Sequence, residues 1–204
     1  MSQGKTKNQN VLGKDSFKAS NPRSPGHLNG HQLVACSATY YPEGILKAIA
    51  FMPIDIDFQF VDGLPPLLIE VQSRKVSLDS GVSPDAVPDI ISEWHSGMNL
   101  PYGKKVVPVA WDAHSCQTEL RKLIDEDMED TFHTWKCLRQ MCHFMNDVAI
   151  NRGERAPFPK DNLGSCASRV LGDDFLAEAK RDVGYLCLVT INVYKHLLYN
   201  GYKL

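Results

Sequence analysis

The spacing of hydrophobic and polar positions changes period along this chain, and the changes mark its elements. Leu33, Val34 and Ala35 through Tyr41 form an apolar stretch that reads as a strand. Pro42-Glu43-Gly44 is a turn signal, Ile45 to Phe51 a second apolar run, and Pro53 ends it. From Ile54 to Val61 the pattern alternates, with Ile54, Ile56, Phe58 and Phe60 on one side and Asp55, Asp57 and Gln59 on the other. That period of two predicts a half-buried strand. Asp62-Gly63 with Pro65-Pro66 is too long for a two-residue hairpin loop and too proline-rich to continue pairing. Leu67 to Gln72 then reads as a near-continuous apolar strand in the centre of a sheet, ending in Glu70 and Gln72 on one face.

Ser83-Pro84-Asp85 predicts a helix start, with serine at the N-cap, proline at the first position and an acid in the first turn. Val87, Ile90, Ile91 and Trp94 give that helix its apolar side, and Gly97 stops it. Lys104 to Trp111 reads as a further strand, in which Pro108 predicts an edge position or a bulge. From Gln117 the period lengthens. Leu120, Ile124, Met128, Phe132, Trp135, Leu138, Cys142, Met145 and Ala149 recur at three and four residues. They predict a long amphipathic helix, with room for one break, that ends near Arg152-Gly153. Pro157 and Pro159 mark a loop and Cys166 to Leu171 a short helix. Asp173 begins a second long helix, with Gly201 as its stop. The fold class is therefore α+β: a small mixed β-sheet over about residues 31–112, followed by a helical C-terminal half.

Composition adds a third segment. Residues 1–30 are rich in Gly, Asn, Ser, Lys and Pro and hold few large apolar side chains, so they predict a disordered tail. The expected division is 1–30 tail, 31–112 β-rich and 113–204 helical. The tail carries Lys5, Lys7, Lys14, Lys18 and Arg23 against Asp15 alone, a balance of +4 that leaves -6 for the remainder. A basic tail on a mildly acidic body suits weak contact with nucleic acid, and it equally suits plain solvation.

The N-terminus is polar, without the apolar core of a signal peptide, and no run approaches the roughly 18–20 apolar residues of a membrane span. These features point to an intracellular chain of the cytoplasm or nucleus. Six cysteines fall in apparent core segments and read as buried thiols of a reducing compartment. There is no Walker loop, G-x-G-x-x-G, H-E-x-x-H or G-x-S-x-G. Their absence disfavours nucleotide hydrolysis, dinucleotide redox chemistry, zincin proteolysis and the common esterase layout.

The chemistry-bearing pattern is the set of carboxylates around residues 55–72. Mg²⁺ needs hard oxygen ligands converging on one point, and two carboxylates from adjacent strands supply them when both face one side. The metal then orients a water and neutralises charge on a phosphate. Asp57 stands on one predicted strand, and Glu70-Val71-Gln72 on the next, thirteen residues later. Asp55 shares the face of Asp57 and is an alternative ligand. This stretch resembles the core of the PD-(D/E)xK, or restriction-endonuclease-like, superfamily over about residues 45–112. The resemblance implies a helix, three strands, a helix and a fourth strand. It also implies Asp57 and Glu70 as metal-binding acids, Asp55 as an extra ligand, and Gln72 at the position of the lysine that orients the attacking water. Three departures stand out: Ile54 rather than an acid follows Pro53, glutamine occupies the lysine position, and no acid-bearing helix precedes the strands.

Other clusters read more plainly. His114, Cys116, His133, Cys137, Cys142 and His143 lie within thirty residues, and His133 and Cys137 fall one helical turn apart. The lack of Cys-x-x-Cys and the five-residue step from Cys137 to Cys142 disfavour a structural zinc. The acidic run Asp125-Glu126-Asp127 with Glu129 and Asp130 reads as a solvated face or as a contact for a basic partner. Two functions follow. One is a Mg²⁺-dependent nuclease-like domain, active or catalytically degenerate, whose tail holds the phosphate backbone. The other is a non-enzymatic structural or accessory protein, such as a small viral protein. That protein would self-associate or meet a protein partner through its helical half, and its tail would bind nucleic acid or a partner.

Overall fold

The computed structural model describes residues 31–55, 61, 63–72, 81–126, 130–158, 162–172 and 183–199. The predicted tail, Asp57 and Gln59 lie outside them. The fold is α+β: five strands make one mixed sheet, in the order β3-β2-β1-β4-β5, and helices fill the C-terminal half. β1 (Gln32–Tyr40) and β2 (Leu46–Ile54) form an antiparallel hairpin. Its turn needs Gly44 at φ +81°, where the Gly44 N–H donates to the Tyr41 carbonyl at 2.9 Å. β3 (Leu67–Glu70) lies antiparallel to β2. On the other side of β1, β4 (Val106–Ala110) runs parallel to it, and β5 (Lys136–Cys137) parallel to β4.

Alternation along the strands serves two cores, one on each face. Val34, Cys36, Ile49, Phe51 and Ile69 pack toward α1 (Val87–Gly97) and α2 (Ala113–Leu120), which bring Ile91, Trp94, Cys116 and Leu120. Leu33, Ala35, Ala50 and Val109 face three helices, α3 (Leu138–Asn151), α4 (Leu163–Leu171) and α5 (Val183–Tyr199). The small side chains at Ala35, Ala48 and Ala50 let α5 sit close to the sheet, where the buried Cys187 thiol reaches the Ala35 and Ala50 carbonyls at 3.6 and 3.5 Å. Asn146, fully buried on α3, uses both ends of its amide on Phe158. It donates to the Phe158 carbonyl and accepts from the Phe158 N–H, each at 2.9 Å, which fixes the loop after the helix. Among the described residues no helix is long and apolar enough to cross a membrane.

Several sequence expectations change. The apolar run from Ile45 does not stop at Pro53: β2 passes through Pro53, opposite Val34, and ends at Ile54. The Pro53 carbonyl accepts from the Val61 N–H at 3.2 Å, on the side away from β1. A residue's N–H and C=O leave a strand on the same side, so the missing proline N–H removes no bond to β1. Ile54, where a separate strand was expected to begin, is the last residue of β2, and residues 56–60 of that expected strand lie outside the described residues. The segment Leu67–Gln72 is an edge strand rather than a central one, because it alternates buried Leu67 and Ile69 with exposed Leu68 and Glu70. Pro108 sits inside the sheet, yet on its broken side. Val106 exchanges its outward bonds with the segment 131–133 and pairing with β5 resumes at Val109, so the missing N–H of Pro108 falls in the gap between the two.

The long helix expected from Gln117 is replaced by α2, an extended segment with β5, and α3. The run Thr131-Phe132-His133-Thr134-Trp135 is β-branched and aromatic, and the outward backbone groups of β4 give it partners. The fifth strand therefore comes from the part of the chain expected to be helical.

Gly81 is fixed by contact rather than by backbone angle. A Cβ there would stand 2.6 Å from the Glu70 carbonyl oxygen and 3.0 Å from the Gln72 nitrogen, both main chain. Gly97, at the end of α1, has open space around it. Gly81→Ala is expected to destabilise the fold by about 1–3 kcal/mol, while Gly97→Ala leaves it unchanged or slightly more stable. Urea unfolding midpoints of the two variants check this, and equal midpoints would refute the close approach.

Candidate nucleic-acid interface

The carboxylates singled out in the sequence do not converge among the described residues. Glu70 lies opposite Ala48 in the β2–β3 register. Asp55 follows the other end of β2, seven positions beyond Ala48, which is roughly 23 Å along an extended strand. Asp55 and Glu70 therefore cannot share one ion. Glu70 and Gln72 are exposed and alternate with the buried Ile69 and Val71, so they share the opposite face of the sheet, and Asp57 lies outside the described residues. Of the predicted metal set, then, Asp55 does not fit with Glu70, and the Asp57–Glu70 pairing is not placed.

The Cys and His cluster also disperses. His133 and Cys137 lie on extended chain and on β5 rather than on one helix, and the Cys137 thiol donates to the Trp111 carbonyl at 3.3 Å. Cys142 packs against Cys166, sulfur to sulfur at 3.8 Å, between α3 and α4. That contact and burial push the Cys142 thiol well above its ordinary range. Among the described residues, no three His, Cys, Asp or Glu side chains are grouped so that they could hold a metal ion.

At the carboxyl ends of β1 and β4 the polar groups satisfy one another. Asp112 caps α2 by accepting from the Ser115 N–H at 3.2 Å, and its other oxygen pairs with Arg139 at 3.0 Å. The Tyr40 hydroxyl donates to the Cys116 sulfur at 3.6 Å. Hydrogen bonds from Cys36 and Tyr40 hold the Cys116 thiol below its usual range against the effect of burial.

The amino ends of the same two strands carry a different constellation. The Lys105 N–H donates to His31 Nδ1 at 2.9 Å, and the Gln32 N–H to the Lys105 carbonyl at 3.0 Å. The segment 131–133 lies alongside, with the His133 N–H donating to the Val106 carbonyl at 2.6 Å. These bonds bring the His31 and His133 rings to 4.6 Å between centroids. Burial lowers the His133 pKa, and His31, Lys136 and Lys105 lower it further. Among the described residues a carboxylate also enters the cluster: Asp130 pairs with Lys105 at 3.4 Å, on the surface, where such a pair is worth little.

Beside this cluster, a groove of about 210 Å³ runs between the end of α2 and the segment 130–135. Leu120, Ile124 and Phe132 form its apolar floor, and Phe132 and Phe51 pack on Trp135, which lines one side. The sequence pointed to the basic tail but not to this surface, because Phe132 and Trp135 fit a helical period. The β-branched and aromatic run around them was the signal for extended chain. No family model matches this chain, and a search of the curated proteins finds no match.

Three histidines bear on stability. Burial holds His95, His133 and His196 below the ordinary value of 6.5. The folded chain therefore binds fewer protons than the unfolded one near that pH, so the stability these groups contribute is present above 6.5 and is lost as pH falls below it. The melting temperature is expected to drop between about pH 7.5 and pH 5.5. A flat or rising profile across that window would contradict the assignment.

Proposed function

We propose that this chain binds nucleic acid through the phosphate backbone at the amino ends of β1 and β4. The observation that carries the reading is the gathering of Lys105 and Lys136 around the His31 and His133 rings, which continues at His31 into a segment with five Lys and Arg against one Asp. Phosphates take lysine ammonium groups as counter-ions and accept a hydrogen bond from a neutral imidazole N–H, and the exposed Asp130 is weakly enough held to be displaced from Lys105.

A second reading, Mg²⁺-dependent cleavage by the residues of the PD-(D/E)xK resemblance, draws on one observation. Glu70 and Gln72 stand exposed on one face at the end of β3. It requires Asp57 beside Glu70, with Mg²⁺ between them and Gln72 orienting a water.

Binding of a fluorescent single-stranded oligonucleotide at several salt concentrations tests both. Binding is expected to weaken with salt, and Lys105→Ala and Lys136→Ala are each expected to reduce the slope of log K against log salt by roughly 0.7. Removal of residues 1–30 should reduce it further. A slope unchanged in all three variants would refute the phosphate interface. Cleavage that needs Mg²⁺ and disappears in both Asp57→Ala and Glu70→Ala would establish the second reading instead.

A further inference from the structure

Lys105 and Lys136, with the His31 and His133 rings between them, account for phosphates but not for the groove beside them, which is too mixed in character for a phosphate site. Its floor is apolar, and one side is the half-buried indole of Trp135. Around the rim stand an amide (Gln117), a guanidinium (Arg121), a hydroxyl (Thr134), a carboxylate (Asp130) and an imidazole (His133). At about 210 Å³ it falls below the roughly 300 Å³ at which pockets for drug-sized molecules begin. A planar heterocycle with donors and acceptors on its edge fits this chemistry: the ring stacks on the indole over the apolar floor, and the edge meets the amide, hydroxyl and carboxylate. A carboxylate beside a phosphate-binding surface is out of place if only phosphates bind there. It has a use if it accepts from an exocyclic amino group.

We infer that the groove takes one unpaired nucleobase of a strand whose backbone lies on His31, Lys105, His133 and Lys136, and that the chain therefore prefers single-stranded nucleic acid to duplex. This rests on the nucleic-acid reading above. A base inside a duplex keeps both faces stacked and its edge paired, so it cannot enter. An unpaired base gains a stacking partner in Trp135 and exchanges water for protein at its edge. Phe51 and Phe132 hold the indole in place, so the platform is formed before the base arrives.

The test compares three ligands on the unaltered chain at one salt concentration: a short single strand, the same strand with abasic sites, and its duplex. The single strand is expected to bind tighter than both others and to quench tryptophan fluorescence. Trp135→Ala should weaken single-strand binding roughly 5- to 150-fold, the range for loss of one stacked base, and leave duplex and abasic binding unchanged. Because Trp135 packs on two phenylalanines, the variant is first checked by its melting profile. Thr134→Val, at an exposed position and with no change of charge, serves as a second variant expected to lower single-strand affinity in the same selective way. Equal affinity for the intact and abasic strands would overturn the base site while leaving phosphate binding standing. Failure of all three ligands to bind would overturn the nucleic-acid reading itself.

Discussion

The parallel pairing of β1 with β4 is the seam on which the molecule depends. Gln32–Ala35 meets Val106–Val109, residues some seventy positions apart, and parallel strands can pair only across a long connection. Here the connection is β2, β3 and α1, so closing the seam joins the two ends of the segment that carries the hairpin partner and the first helix. Once closed, it supplies the middle of both cores: Val34 and Val106 to one face, Leu33 and Val107 to the other. The same seam assembles the basic surface. The bonds from Lys105 to His31 and from Gln32 to Lys105 continue the β1–β4 pairing beyond its first rung, and the segment 131–133 is laid against the outer side of β4. Fold and candidate site thus share one set of hydrogen bonds, main chain to main chain except at the His31 ring.

Much of this was legible in the sequence where one physical rule acted alone. The turn at Pro42-Glu43-Gly44, the end of α1 at Gly97 and a strand within the expected 104–111 are where the sequence placed them, although the left-handed residue after α1 is Asn99 rather than Gly97. Legibility failed where two rules competed. Pro53 reads as a strand breaker, but its carbonyl points away from β1 and its missing N–H is not needed there. Phe132 and Trp135 satisfy a helical period with Leu120 and Leu138, but their intrinsic preference for extended chain coincides with open backbone positions on β4. Period alone could not decide between those two outcomes. The candidate surface was missed for a related reason. His31, Lys105 and His133 are isolated in sequence, and only the parallel register brings them together.

The carboxylates show the limit of reading a face from alternation. Asp55 and Glu70 each look suited to a metal within its own strand. Antiparallel pairing with the register Ala48 to Glu70 sends them to opposite ends of the ladder. Convergence of ligands is a property of register, and register follows from which apolar side chains must share a core. Here Ile49 and Phe51 lie opposite Ile69 and Leu67, and all four belong to the core beneath α1.

The edges of the sheet have a consequence for how the chain behaves at high concentration. β3 is four residues long and β5 two. Along β3, Leu67 and Ile69 turn their main-chain groups toward β2, while Glu70 and Gln72 are already bonded to Val82 through the close approach that Gly81 permits. Among the described residues of that strand, this leaves Leu68 as the one whose outward backbone has no strand beside it. A single rung is too short to template a strand from another molecule, so the Gly81-Val82 segment acts as a guard against edge-to-edge growth of the sheet.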